Sequence, residues 1–221
     1  MITSDLIALY PNLYHMAAEG SWPSIERLGL LSTSELTRQW GVAPPDVRES
    51  LLGQRRPSSV TITSPVFGAA TIRDQLPLDE RSLAAALVDM SPHDWYEALN
   101  ERVFFFLQPE RLRTLLNARS YRNSEQVVIT VDTQSFVQAH ESEIELCKIN
   151  SGFAQPHNHV SRGRETFKSI EAYPHPDRVL PRRSAPWDVA ELCVPSAVVD
   201  LARHVVRVER VQADRVLERI R

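Results

Sequence analysis

The chain has 221 residues, of which 43% are hydrophobic and 24% charged; this is the balance of an ordinary folded domain and excludes a disordered tail, a collagen-like repeat and a long coiled coil. The net charge of −3 and an isoelectric point near 6.2 exclude a surface that is basic all over and binds nucleic acid everywhere. No apolar run approaches the ~20 residues of a membrane helix, MITSDLIALY lacks the basic segment of a secretory signal, and Cys147 and Cys193 are too few for a disulfide framework. The expectation is a cytoplasmic monomer with no membrane contact.

With 15 prolines against seven glycines, the chain reads as ordered but often interrupted. Asn12 to His15, after Pro11, predicts a short strand. Ser21 is placed to cap a helix with Ile25 and Leu28 on one face, and Gly29 to end it, with Leu30 as its apolar partner. Ser34 to Trp40 predicts another helix, and Arg55-Arg56-Pro57 ends a further one. Thr61 to Ile72, with Pro65 and Gly68 inside, reads as a loop with extended pieces. Ser82 to Val88 is helical. Ser91-Pro92-His93-Asp94 supplies a cap, a proline at the first position and an acid in the first turn, so a helix runs from there to about Asn100.

Val103 to Leu107 is an unbroken apolar run and predicts a buried strand. Pro109 starts a helix with Leu112, Leu115 and Leu116 on one side. Val127 to Val131 is a second buried strand, and Phe136 and Val137 belong to a short helix after it. Asn150 to Pro186 has no periodicity and is rich in proline, histidine and arginine; a loop of that length in a domain is usually functional or disordered. Val189 to Val194 predicts a strand, the region near Asp200 a helix, and Val205 to Val208 a last strand. These elements predict one α+β domain over 1–221 with a mixed or split sheet and flanking short helices.

Alternation along the strand 189–194 places Val189, Glu191 and Cys193 on one face, and Ala190, Leu192 and Val194 on the other. Glu191 therefore has no polar neighbour on its own face. It is either a desolvated carboxylate at a cleft or an edge-strand acid turned to solvent or an arginine. Among the 25 basic residues only Lys148 and Lys168 are lysines; the rest are arginines, either from the base composition of the gene or for bidentate phosphate contacts.

Three segments, LYHMAAEGSWPSIERLGLLS from Leu13, RVFFFL from Arg102 and VAELCVPSAVV from Val189, resemble the motifs of the ADP-ribosyltransferase superfamily in order and spread. Its DarT-like branch, which modifies nucleic-acid bases, is the nearest relative the motifs suggest. Ala17 stands where that family has Thr, and Phe104 to Phe106 stand where tyrosines are expected. The resemblance implies NAD as co-substrate, Glu191 as the catalytic carboxylate, and His15, Ser32, Arg73, Arg102 and Phe105 as NAD-binding residues. Arg55 and Arg56 are further candidates for the pyrophosphate. The loop 150–187, with Arg162, Arg164 and Glu165, would hold the acceptor. Its Arg162, Arg164, Arg178, Arg182 and Arg183 are interleaved with Phe153, Phe167, Tyr173 and Trp187, a composition that grips single-stranded nucleic acid. The acceptor favoured is a nucleic-acid base, with a protein or a small molecule as alternatives.

His157, His159 and His175 offer a ligand pair but no completing Cys or carboxylate, so no metal is expected. No phosphate-binding glycine loop or dinucleotide fingerprint is present. Two other readings stay open: a non-catalytic module that binds a nucleotide or a protein, and a nucleic-acid-binding protein without NAD chemistry.

Overall fold

A computed structural model of the chain describes residues 1–157, 160–173 and 189–221. The elements, in chain order, are α1 (Thr3–Leu9), β1 (Asn12–Ala18), α2 (Trp22–Leu28), β2 (Leu30–Leu31), α3 (Thr33–Gln39) and α4 (Pro45–Leu52). The hairpin β3 (Val60–Ser64) and β4 (Gly68–Ile72) follows, then α5 (Glu80–Ala86), α6 (Pro92–Asn100), β5 (Arg102–Phe106), α7 (Pro109–Leu116) and β6 (Glu125–Asp132). The rest comprises α8 (Thr133–His140), β7 (Glu145–Cys147), β8 (Lys168–Ser169), β9 (Glu191–Pro195), β10 (Ala197–Val198), β11 (Val205–Gln212) and β12 (Arg215–Arg219), with 3-10 turns at Arg164–Thr166 and Leu201–Arg203.

Eight strands form one sheet in the order β12-β11-β6-β1-β5-β9-β7-β8. Every pairing of these strands is antiparallel, which corrects the expectation of a mixed sheet. The strand–helix–strand unit β5-α7-β6 does bring its strands back in the same direction. However, β1 lies between them and runs against both, so no parallel ladder forms. The split is present: β1 pairs with β6 over seven residues, from Asn12 to Ala18, but meets β5 only at Tyr14 opposite Phe106. Beyond that pair the two strands part.

Period-two alternation sorts the sheet's side chains. Leu13, Val103, Phe105, Ile129, Val131, Leu192 and Val194 share one face and form the main core with Leu6 of α1 and Phe136 and Val137 of α8. Met16 and Val128 lie on the other face under Leu112 and Leu116 of α7, with Tyr14 and Phe106 packed beside them. A third cluster joins Leu83 of α5 to Trp95 and Leu99 of α6, and a fourth packs the β3-β4 hairpin against Leu31, Trp40 and Leu51.

Local chemistry accounts for most helix ends. Ser91 and Asp94 form a reciprocal capping box at α6, with Pro92 at its first position. Ser32 caps α3 by accepting from the Glu35 amide. Ser21 precedes α2 as expected, but its backbone is already helical and its side chain caps nothing. Gly29 ends α2 with φ +83° and ψ 179°, a conformation open only to glycine. A Cβ there would sit 2.4 Å from the Val198 carbonyl oxygen and the Val199 Cα. Gly29→Ala should therefore cost about 3 kcal/mol or more in urea unfolding. Gly20→Ala, at φ +77° but with open space around it, should cost about 1 kcal/mol; equal costs would contradict the close approach at Gly29.

Candidate active site

β9 is an interior strand, with β5 on one side and β7 on the other. Its register sets Glu191 opposite Phe106 and Cys147. Flanked in this way, the side chain is 5% exposed, which rules out the edge-strand alternative. Oε2 accepts the Ser151 amide at 2.9 Å and the Ser151 hydroxyl at 2.7 Å. Oε1 accepts no hydrogen bond among the described residues. Burial raises the carboxyl pKa from 4.5 to about 7, although both Ser151 bonds and the charges of Arg111 and Arg162 work to hold the anion.

Ser151 is itself fixed from behind. The Arg162 guanidinium donates through Nη1 to the Ser151 carbonyl at 3.0 Å, through Nη2 to the Phe153 carbonyl at 2.9 Å and through Nε to the Val160 carbonyl at 3.1 Å. Its face lies over the Trp95 ring, 5.6 Å from the centroid. A buried chain thus runs from Arg162 through Ser151 to Glu191.

His15 of β1 reaches across the split to β5, with Nδ1 at 2.8 Å from the Phe104 carbonyl oxygen. A carbonyl only accepts, so Nδ1 carries a proton. Burial lowers the imidazole pKa to about 4, against the Phe104 contact and with help from Arg73, so at neutral pH the ring holds no second proton. Nε2 is then a bare acceptor.

Both residues line a cavity of about 360 Å³ between the divergent strands and the β3-β4 hairpin, within the usual size of a small-molecule site. Ser32, Arg73 and Arg102 share its wall. The Ser32 hydroxyl oxygen serves as the α3 cap, and its hydrogen meets no acceptor among the described residues. Arg73 touches the Met16 carbonyl through Nη1 at 3.3 Å and lies over the Tyr121 ring at 5.1 Å. Its Nε and Nη2 donate to none of the described residues. The same cavity is walled by Asn150, Gly152, Trp40 and Tyr121, none of which the sequence pattern singles out.

The remaining expected contacts are corrected by position. Phe105 is fully buried, packed on Phe136 at 5.1 Å, because alternation turns it to the core; Phe104 and Phe106 line the cavity instead. Arg102 borders the cavity, but its guanidinium is committed to Glu145, at 2.6 and 3.3 Å, and to the Ala98 carbonyl at 2.7 Å. Its face lies over Phe167, 4.5 Å from the centroid. Arg56 is buried and braces the Leu51 and Arg73 carbonyls, while Arg55 bonds the Leu76 carbonyl away from the cavity.

Arg162 is an internal brace rather than a free hand for an acceptor. Arg164 is exposed on the 3-10 turn, its amide on Asp89, and the Glu165 side chain is 87% exposed beside Lys168. Neither lines the Glu191 cavity. His157 is exposed; His159, His175, Arg178, Arg182, Arg183 and Trp187 lie outside the described residues. No helix among the described residues is long and apolar enough to cross a membrane.

Fold and site together define an antiparallel α+β protein with a desolvated carboxylate and a neutral histidine in a cleft where the sheet splits. A family model matches residues 11–205, and the chain belongs to that family, a family of unknown function designated DUF7002. No curated protein matches the sequence. Among solved structures the chain is similar to Thermosipho africanus DarTG in complex with ADP-ribose, at 15% identity and a TM-score of 0.40. That similarity covers 90% of this chain and 43% of the other, so the chain spans less than half of the length of that structure.

Between pH 4.5 and about 7 the folded chain keeps a proton on Glu191 that the unfolded chain has lost. Stability should therefore fall as pH rises through that window, by about 3 kcal/mol in all. Glu191→Gln removes the effect. Urea unfolding at pH 5 and pH 8 should show the variant gaining on the wild type by about that amount; a pH-independent difference would contradict the desolvation.

Proposed function

We propose that the protein is an NAD-consuming ADP-ribosyltransferase that uses Glu191 to cleave the nicotinamide–ribose bond, with a nucleic-acid base as acceptor. The observation that carries this reading is the meeting of Glu191 and His15 in one cavity. They come from sequence segments 176 positions apart, and both belong to the motifs that resemble the superfamily.

When the glycosidic bond breaks, its electron pair leaves with nicotinamide and the ribose C1′ becomes electron-poor. A carboxylate close by stabilises that charge and hydrogen-bonds a ribose hydroxyl. Glu191 supplies it through Oε1, while Ser151 occupies Oε2. The bare Nε2 of His15 accepts a second ribose hydroxyl, a contact that an imidazolium could not make. Arg73 offers Nε and Nη2 to a pyrophosphate, and the Ser32 hydroxyl offers a hydrogen. Phe104 and Phe106 supply aromatic wall for the pyridinium ring. The acceptor then adds to C1′ and gives up its proton, for which the Glu191 carboxylate is the nearby base.

The nucleobase acceptor rests on the arginine and aromatic content of 150–187, with Arg162 now taken out of that set by its bracing role. An elevated carboxyl pKa implies that activity rises with pH through about 7, as the anion forms.

Purified protein incubated with NAD and a single-stranded oligonucleotide should release nicotinamide, measured by chromatography. Glu191→Gln should lower the rate by about 10²–10³-fold with an unchanged circular dichroism spectrum. Equal rates in wild type and variant would overturn the assignment of Glu191. NAD binding by calorimetry without release in any condition would favour the non-catalytic binding module.

A further inference from the structure

Outside the cavity lining, three side chains converge: His140 at the last turn of α8, and Asp200 and His204 on either side of the 3-10 turn that leads into β11. His140 Nε2 is 2.9 Å from Asp200 Oδ1, and His204 Nε2 is 3.3 Å from Asp200 Oδ2. All three candidate ligand atoms lie within 4.8 Å of one another. The rings stand at 76° with centroids 5.7 Å apart, and Phe136 packs against both.

The outer nitrogens decide what the inner ones can do. His204 Nδ1 is 3.1 Å from the Ser135 hydroxyl oxygen, whose own hydrogen points to the Asp132 carbonyl at 3.3 Å. With its hydrogen on that carbonyl, Ser135 can accept from His204 Nδ1 in the tautomer that leaves Nε2 free for a metal. His140 Nδ1 is 3.5 Å from Glu143 Oε2, an acceptor only, which suits the same tautomer. In that tautomer both Nε2 atoms are free to ligate an ion beside the Asp200 carboxylate. Outer nitrogens fixed by oxygen acceptors are also the usual second tier behind metal-binding histidines.

We propose that His140, Asp200 and His204 bind a divalent transition-metal cation, with Zn²⁺ the best match to two imidazoles and one carboxylate. Tetrahedral zinc at 2.0–2.1 Å from its ligands needs them about 3.3 Å apart, and both nitrogen–oxygen distances are already near that value. Asp200 is partly exposed, which gives an entry path and room for a water as fourth ligand. None of the three lines the Glu191 cavity, so the ion would be structural: it pins the end of α8 to the turn before β11.

The test is zinc titration of chelator-stripped protein by calorimetry and thermal unfolding. One equivalent should bind, and a hundredfold excess over Kd should raise Tm by roughly 5–10 °C. His140→Gln, at a half-buried helix end, should weaken binding at least tenfold. His93→Gln should leave it unchanged, although His93, Asp94 and Glu97 form a second, exposed cluster. If the His140 variant fails to fold, the ligand-field spectrum of Co²⁺ in the wild-type protein should report a tetrahedral site with nitrogen ligands. Absence of saturable binding to wild-type protein, or equal binding by the His140 variant, would overturn the proposal and leave two histidines hydrogen-bonded to one carboxylate.

Discussion

The fold has to keep a carboxylate inside a β-sheet. Glu191 sits on an interior strand, and an unpaired buried carboxylate costs several kcal/mol. Part of that cost is offset by two hydrogen bonds from Ser151, whose carbonyl Arg162 holds from the other side. The segment after β7 is organised around this need. What is left is a carboxyl with its pKa near 7 and one oxygen that accepts nothing from the described residues, a state that does not stabilise the fold.

The split in the sheet answers the same requirement from the other strand. β1 and β5 share one register pair, and the His15 imidazole then takes a Phe104 carbonyl that a continued ladder would have served. This single contact bridges the gap and fixes the tautomer of the ring. Arg56 holds the Arg73 carbonyl, and the Arg73 guanidinium lies at the cavity wall with two nitrogens that donate to none of the described residues. Arg102 and Arg162 are spent on Glu145 and on backbone carbonyls. The number of arginines in the sequence therefore overstates how many are available to an anion.

Much of this was legible along the chain. Period-two alternation placed Glu191 apart from Leu192, and the capping signal at Ser91-Pro92-His93-Asp94 marked α6. Gly29 marked the end of α2 by the positive φ it must adopt. What escaped has physical causes. α1 has no capping side chain, and β7 is three residues long, so neither carries a local signal. The Glu191–Ser151 contact joins positions 40 apart through a loop without periodicity, and pairing of that kind is set by topology alone. The resemblance implies Phe105 as an NAD contact, yet the alternation that sets Glu191 opposite Phe106 turns Phe105 to the core. His140, Asp200 and His204 also meet only after β6, α8 and β11 have packed.

If the protein turns over NAD as proposed, Glu191 Oε1 and His15 Nε2 face one ribose. A crystal structure of the Glu191→Gln variant soaked with NAD tests it most directly, because the amide keeps the shape and blocks turnover. The account predicts the nicotinamide ribose in the split between β1 and β5, with one hydroxyl within hydrogen-bond distance of His15 Nε2, another near the residue 191 side chain and the pyrophosphate on Arg73. A cavity left empty at saturating NAD, or NAD seated elsewhere on the protein, would contradict it.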